Sequence, residues 1–484
     1  MAYEYPGEPP LRPFQVEGVD WLIKNRRCVL GDDKGIGKTV QVIKAMIEVK
    51  PKRVLIIVPG IAGLYVWLKE QLPKWNAIER LGLGQPVLMT GSAAKRAKLW
   101  KTSHFVITTY AGFREDMKHN RVPLNWDVVT CDEYHRAFKR RRTKTHEYLK
   151  QLQSTYFWPF SGSAASKGPH DIWAPINLCQ PRIWTSYWKF VDNYCIVSIN
   201  QWGGREIIGE KNVEELWVNL QHVFKRRLKR EVLPQLPPKI RQPAYVDMTD
   251  RQAYLYAAMA KDMIVTLDEA EEDEGDKHIL ASTALTKIVR LRQILVCPKI
   301  IDPNCPDYGG AIEYVLDDLE GAESEKDRHC VVFTPFRDAV SLIRQALEEK
   351  GFGPVIELMG GQGHSSKGID ELKRKIDLFR AQKGIAVCTI QFAESFELDP
   401  ADKGYFVGFE YDAEQNSQAE DRLHRGTVEW PVNFWYILHN DTVDEDVMDV
   451  LDRGTHATHT LMHNPEKLKM MLNKYLRLHP KMQP

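Results

Sequence analysis

The chain has 484 residues, enough for two or more domains with developed cores. Its 66 basic and 65 acidic residues leave a net charge of +1, so a nucleic-acid surface has to be a local groove rather than a global basic excess. Eight cysteines without a Cys-x-x-Cys pair argue against zinc modules and disulfides, and neither a leader-like apolar N-terminus nor an apolar run of about 18 residues is present, so the expectation is an intracellular protein with no membrane partner, cytoplasmic in a bacterium or phage host and nuclear in a eukaryote.

In chain order, the apolar run Cys28-Val29-Leu30 leads into the loop GDDKGIGKT, Gly31 to Thr39. A helical pattern follows at Val40, Ile43, Ala45, Met46 and Ile47. Strand, glycine loop and helix suit a nucleoside triphosphate. Gly35 and Gly37 let backbone N–H groups turn toward phosphates, Lys38 supplies a point charge to the β- and γ-phosphates, and the Thr39 hydroxyl can ligate Mg²⁺. The strict pattern asks for glycine where Asp32 stands, which leaves a chance glycine turn open as the alternative. Further apolar runs at Val54–Val58, Phe105–Thr109, Val128–Cys131 and Tyr156–Phe160 alternate with helical patterns and predict a parallel sheet flanked by helices.

The third of these runs ends in Asp132-Glu133-Tyr134-His135. Paired acids at the C-terminal edge of a strand are the usual partner of a phosphate loop. Asp132 is the candidate for Mg²⁺, and Glu133 the candidate for orienting or deprotonating the attacking water. An exposed acidic turn is the plainer alternative. From about Trp173 to Pro303 the chain is rich in Trp, Pro and charge, and the carboxylate run Asp268–Asp276 reads as a solvated loop.

A second α/β series begins at Cys330–Thr334 and continues through Val355–Met359, Ile385–Thr389, Tyr405–Phe409 and Phe434–Leu438. Within it Gln418, Arg422 and Arg425 are spaced i, i+4 and i+7, which predicts one helical face. Their cations could stabilise charge developing on a transferred phosphoryl group, as arginine fingers carried by a second lobe; an amphipathic surface helix is the alternative. His456, His459 and His463 have helical spacing but no fourth ligand, so a solvated face is preferred to a metal site. The expected division is an ATP-binding lobe over 1–185, a linker with a helical and hairpin insertion over 186–310, a second lobe over 311–462 and a C-terminal helix or tail over 463–484.

Taken together and in order, these segments resemble the Swi/Snf-type group of the second helicase superfamily, DNA-dependent ATPases built of two RecA-like lobes. Leu11-Arg12-Pro13-Phe14-Gln15 with Glu17-Gly18 looks like its adenine motif, implying that Gln15 contacts the base. The group's phosphate loop also carries Asp where glycine is usual. Ile56 to Pro59 with Trp67 and Trp75, and Ile107-Thr108-Thr109-Tyr110, resemble its DNA-tracking motifs, Ser161-Gly162-Ser163 its coupling motif, and Gln418 to Arg425 its arginine motif. Thr108, Thr109, Thr334 and Thr389 fall where DNA-backbone contacts are implied. A narrower likeness runs from Tyr194 through Trp202-Gly203 to RRLKREVLPQLPPKIR (Arg226 to Arg241) and points to the annealing helicases that remodel stalled forks. There the region forms a hairpin beside the DNA, and the alternation around Trp202 suits one. The departures are Phe392-Ala-Glu-Ser-Phe-Glu397 in place of a glycine-rich motif, Ala164 for Pro, Val428 for Gln and Tyr134 for Ala. None removes a charge the chemistry requires.

Phosphate tracking needs positive charge rather than base readout. Lys139 to Lys144, including Arg140 and Arg141, and Lys225 to Arg230, including Arg226 and Arg227, are the candidate clusters, each with a solvated surface as its alternative. Trp202 is a candidate wedge at a fork junction, with buried packing the plainer role. The sequence therefore points to a compact, monomeric, bacterial or phage-type motor using ATP and Mg²⁺ on DNA. It would remodel forks or branches; the alternatives are a duplex translocase that displaces bound proteins and an ATP-gated DNA clamp.

Overall fold

The structure is a computed structural model that describes residues 3, 7–139, 141–165, 168–199, 203–272, 277–324, 328–359, 366–382, 384–393, 398, 401–425, 428–445 and 465–479. The chain divides into two compact units, the first Met1–Leu236 with Gly363–Asp370 and the second Pro237–Gln362 with Glu371–Pro484. The division falls at Leu236/Pro237, inside the segment 186–310 that the sequence suggests as one insertion.

The first unit is built on a seven-stranded sheet in the order β3-β4-β2-β5-β6-β1-β9. The strands are β1 (Val29–Leu30), β2 (Val54–Val58), β3 (Val87–Leu88), β4 (Phe105–Thr109), β5 (Asn125–Asp132), β6 (Gln153–Phe160) and β9 (Phe224–Lys225). All neighbours pair in parallel. The central strands are near-continuous apolar runs because helices cover both faces. Period-two alternation divides β2 between two cores. Leu55 and Ile57 face Trp100, Phe113 and Phe138, whereas Val54, Ile56 and Val58 face Leu22, Val42 and Met46. A separate antiparallel hairpin joins β7 (Cys195–Ile199) to β8 (Arg205–Glu210), as the alternation predicts. Its tip, with Trp202, lies outside the described residues.

The second unit carries a six-stranded parallel sheet in the order β10-β15-β14-β11-β13-β12. These are β10 (Lys239–Val246), β11 (Cys330–Thr334), β12 (Val355–Leu358), β13 (Ile385–Thr389), β14 (Lys403–Val407) and β15 (Val432–His439). β10 is the strand the sequence hides. Its pattern is mostly exposed, since it lies at a sheet edge with only β15 beside it. Helices Asp250–Glu272, Lys277–Val296 and Pro465–Leu478 share a core of Tyr256, Met263, Leu291, Leu295 and Tyr475. The acidic run lies in part, and the His456–His463 triplet wholly, outside the described residues. Among the described residues no helix is long and apolar enough to cross a membrane.

His146 illustrates what burial does to a titratable group. It sits 3% exposed against Trp173, with ring centroids 5.8 Å apart. Burial, aided by the Lys150 charge, pushes its pKa down from 6.5 to about 4. Between those values the unfolded chain binds a proton that the folded chain refuses, so stability is full above pH 6.5 and falls as pH drops toward 4. At about 1.4 kcal/mol per pKa unit the contribution is at most ~3 kcal/mol. Denaturant titrations from pH 7.5 down to 4.5 should therefore show a steeper loss of stability in the wild type than in His146→Gln.

Candidate active site

The loop after β1 is shaped by two left-handed glycines, Gly35 at φ 77° and Gly37 at φ 86°. A side chain at Gly37 would be strained by this φ, and its Cβ would displace Gln15 Nε2, which lies 2.4 Å away. Gln15 is thus brought onto the loop, where Nε2 donates to the Ile36 carbonyl at 3.1 Å and Oε1 accepts from the Arg12 N–H at 2.9 Å. Helix Lys38–Glu48 starts at Gly37, so its first N–H groups open toward the loop. Lys38 is buried and its Nζ donates to the Asp33 carbonyl at 2.9 Å. Burial lowers its pKa, with Glu133, Asp32 and Asp132 opposing that shift. Thr39 follows half-buried.

Asp32, the residue out of pattern, is fully buried. An isolated carboxylate there would not remain charged, so it must be neutralised. Arg227 does this from 195 positions away. Its backbone N–H and Nε donate to Oδ1 at 3.0 and 3.1 Å, and its Nη2 reaches Oδ2 at 2.5 Å. Gln41 completes the node, accepting from Arg227 Nη2 at 2.7 Å and donating to Oδ2 of Asp32 at 3.3 Å. Phe14 lies under the guanidinium at 5.4 Å. The backbone runs in register with this pairing, as Gly31 N–H donates to the Lys225 carbonyl at 2.7 Å and Asp33 N–H to the Arg227 carbonyl at 3.0 Å. Arg227 is therefore corrected from a duplex-facing candidate to a clamp on the phosphate loop. An acid where the strict pattern asks for glycine was the available sequence signal, but nothing in spacing names its partner.

At the end of β5, Glu133 holds φ at 44°, a left-handed conformation that costs a non-glycine residue ~1 kcal/mol or more. Its Oε2 accepts from Ser161 Oγ at 2.9 Å, and His135 Nδ1 lies 2.7 Å from the same hydroxyl and 3.3 Å from Oε2. With the hydroxyl proton directed at Glu133, Nδ1 of His135 must carry its own proton. Burial favours the neutral acid, but the His135 contact and the charges of Lys38 and Lys34 overcome it and hold the Glu133 carboxyl well below the usual carboxylate range. Asp132 accepts at Oδ2 from Trp67 Nε1 at 2.9 Å, and its carbonyl accepts from the Tyr110 hydroxyl at 2.8 Å. Gly162 leaves room above the lysine, since a Cβ there would lie 3.1 Å from Lys38 Nζ and 2.4 Å from Lys34 Cγ. A buried cation under an open cradle suits a triphosphate, and a hydroxyl with a carboxylate is the hard oxygen set that Mg²⁺ takes alongside phosphates.

A model of the SNF2-related domain matches residues 14–300 of this chain. The chain belongs to the SNF2-related family. Each of its two units is built on a parallel α/β sheet, the fold class that the motifs imply. The chain is 27% identical over 474 residues to the DNA annealing helicase and endonuclease ZRANB3 of Bos taurus, covering 95% of this chain and 41% of that protein. It is 25% identical over 502 residues to the ISWI chromatin-remodeling complex ATPase ISW1 of Saccharomyces cerevisiae, covering 96% and 42%. The chain thus spans about two fifths of the length of these relatives. Among solved structures it is similar to the Sulfolobus solfataricus SWI2/SNF2 ATPase core in complex with dsDNA, at 22% identity and TM-score 0.40 over 97% of each chain. The Pyrococcus furiosus Hef helicase domain is similar at 15% identity and TM-score 0.48, over 90% of this chain and 97% of that one.

The remaining candidate residues of this SNF2-related chain fare unevenly. Trp67 and Trp75 are buried rather than presented to DNA, as are the side chains of Thr108 and Thr334. Thr109 is half-buried and caps helix Tyr110–Lys118 by accepting from Gly112 N–H at 3.0 Å. Thr389 is half-buried at the end of β13. Arg141 stacks over Tyr187 and Trp188 at 5.1 and 4.6 Å, and Arg226 lies 3.5 Å from Asp33. Arg140 lies outside the described residues, as does most of the segment Phe392 to Glu397.

In the second unit, helix Ala413–Glu420 contains Gln418 but stops two residues short of Arg422. The single helical face expected for Gln418, Arg422 and Arg425 is thereby corrected. The helix tightens into i→i−3 bonds, Arg422 N–H to the Ala419 carbonyl at 3.1 Å and Leu423 N–H to the Glu420 carbonyl at 3.0 Å. Glu420 anchors this end from inside the core. It accepts from Arg241 at 2.6 and 2.7 Å, from Lys239 at 3.1 Å and from the Tyr436 hydroxyl at 2.9 Å.

Breaking a buried ion pair from one side costs ~3–5 kcal/mol, because the other charge is stranded. Arg227→Ala should lose stability on that scale in urea titrations, and Arg227→Lys should not restore it, since an ammonium cannot supply the fork. The double variant Asp32→Gly/Arg227→Ala should recover most of the loss. A coupling energy near zero in this cycle would show that the pair does not hold the loop.

Proposed function

We propose that this chain is a DNA-dependent ATPase that uses ATP hydrolysis to move on DNA and remodel forks or other branched structures. The observation that carries the reading is the constellation of the first unit. Buried Lys38, ionised Glu133 tied to Ser161 and His135, and buttressed Asp132 are gathered at the sheet edge beside a left-handed glycine loop.

In this reading Gln15 meets the base, and Lys38 with the loop N–H groups of Gly35 and Gly37 holds the phosphates. Thr39 and Asp132 hold Mg²⁺, which when bound neutralises phosphate charge and aligns the leaving group. Glu133, kept anionic, orients the attacking water and accepts its proton. Ser161 and His135 keep that carboxylate aimed and link it to the loop after β6. Arg422 and Arg425, with Gln418, are proposed to complete charge stabilisation from the second unit, which would make hydrolysis depend on both. Arg141, Arg226, Thr109 and Thr389 remain the proposed DNA-backbone contacts.

Branched DNA is favoured by the likeness to an annealing helicase across nearly the whole of this chain. The likeness to a chromatin-remodelling ATPase supports a second reading, a duplex translocase that displaces bound proteins without separating strands. Fork strand-displacement and protein-roadblock assays separate the two. Removing a general base typically costs 10²–10⁴-fold. Glu133→Gln and Lys38→Ala should therefore lose DNA-stimulated ATP turnover on that scale, while DNA affinity stays within a few-fold. Wild-type hydrolysis by either variant would overturn the assignment.

A further inference from the structure

Asp132 is held by two aromatic side chains that the reading above leaves without a role. Val66–Gln71 forms one turn of π-helix, flanked by helices Ile61–Tyr65 and Leu72–Lys74. Such turns are rare and concentrate at functional sites, because the extra residue re-aims a side chain. Here the turn carries Trp67, which is fully buried beside Phe160 with ring centroids 6.3 Å apart. An indole has a single N–H to satisfy, and this one is directed at Oδ2 of Asp132 at 2.9 Å. Tyr110 opens the helix that follows β4 and donates its hydroxyl to the carbonyl of the same residue at 2.8 Å.

Trp67 and Tyr110 thus reach Asp132 from the segments that follow β2, which pairs with β5, and β4, the next strand out. Since Trp67 is closed to solvent, its effect on any ligand has to pass through the carboxylate it touches. A carboxylate with two chemically equivalent oxygens and a free χ2 samples several orientations. The indole N–H on Oδ2 favours one of these orientations. Hydrogen bonds of this kind on a metal-holding carboxylate are usually worth 10–100-fold in metal affinity or activity.

We propose that Trp67 is a positioning residue for Mg²⁺, fixing the orientation of the Asp132 carboxylate while Tyr110 fixes its backbone. The inference rests on the reading of Asp132 as the carboxylate that holds the metal. The test is binding of fluorescent ADP to the full chain, titrated once in Mg²⁺ and once in EDTA, so that the readout is the gain in affinity due to the metal rather than turnover. Trp67→Phe, which keeps an aromatic ring and removes the N–H, should lower affinity in Mg²⁺ by 10–100-fold, toward the EDTA value. Its affinity in EDTA should stay within about twofold of wild type, well inside that window.

Equal losses in Mg²⁺ and EDTA would mean that Trp67 only supports the fold, and an unchanged metal gain would mean that its N–H does nothing; either result overturns the inference. Should Trp67→Phe fail to fold, a benzothiophene analogue of tryptophan at the same position removes the N–H with the shape retained. Asp132→Asn separates the two levels. If it keeps the full metal gain, the metal assignment itself fails. If it loses the gain while the Trp67 variants keep it, only the present inference falls.

Discussion

A phosphate loop that buries a carboxylate can keep its shape only if a cation is delivered to it from elsewhere in the fold. Here Arg227 delivers it, with its backbone N–H and its guanidinium both turned to Asp32. The consequence is architectural. For Arg227 to reach Asp32, the chain around β9 must run parallel to β1 and extend the sheet by one strand on the loop's own side. The same segment then leads to Leu236, the last residue of the first unit before the chain enters the second. The loop expected to bind nucleotide and the stretch leading to the other lobe therefore share one buried ion pair. In low dielectric, separating such a pair is costly, so the two move together or not at all.

The acidic motif shows the complementary strategy, in which geometry is enforced against local preference. Glu133 is held left-handed, a conformation its side chain resists, and the surroundings over-determine it through Ser161 and His135 on one side and Lys38 on the other. Strain retained in this way is characteristic of sites where one carboxylate has to be aimed and kept charged. Asp132, one residue earlier, accepts an indole N–H at its carboxylate and a phenol O–H at its backbone carbonyl. Neutral donors orient a carboxylate without cancelling the charge a cation needs.

In the second unit the same economy appears at Glu420. It closes a short helix, is fully buried, and draws Lys239 and Arg241 from the edge strand β10 together with Tyr436 from β15. The helix ends at this anchored residue, and Arg422 and Arg425 lie in the segment beyond it. A buried anion thus lies just ahead of two half-buried cations. This is a tertiary constraint, and the i, i+4, i+7 spacing could not anticipate it.

Much of this protein is readable from the chain. β2, β4, β11 and β13 coincide with apolar runs, because a strand covered on both faces must be apolar throughout. The family is equally legible, since glycine, lysine and paired acids at fixed offsets are local signals. Edge strands β9 and β10 are not legible, being short or mostly exposed and marked by no pattern of their own. Nor does sequence tell a solvent-facing cation from a buried one. Arg226 and Arg227 are adjacent and identical, yet only the second is turned inward to Asp32. Trp67 and Thr108 sit in segments that resemble DNA-tracking motifs, yet both side chains are buried. Local chemistry and hydrophobic period were determined by the chain alone. Which charge is desolvated, and by which distant partner it is answered, was decided only by tertiary packing, because the cost of burying a charge depends on everything around it and not on its neighbours in sequence.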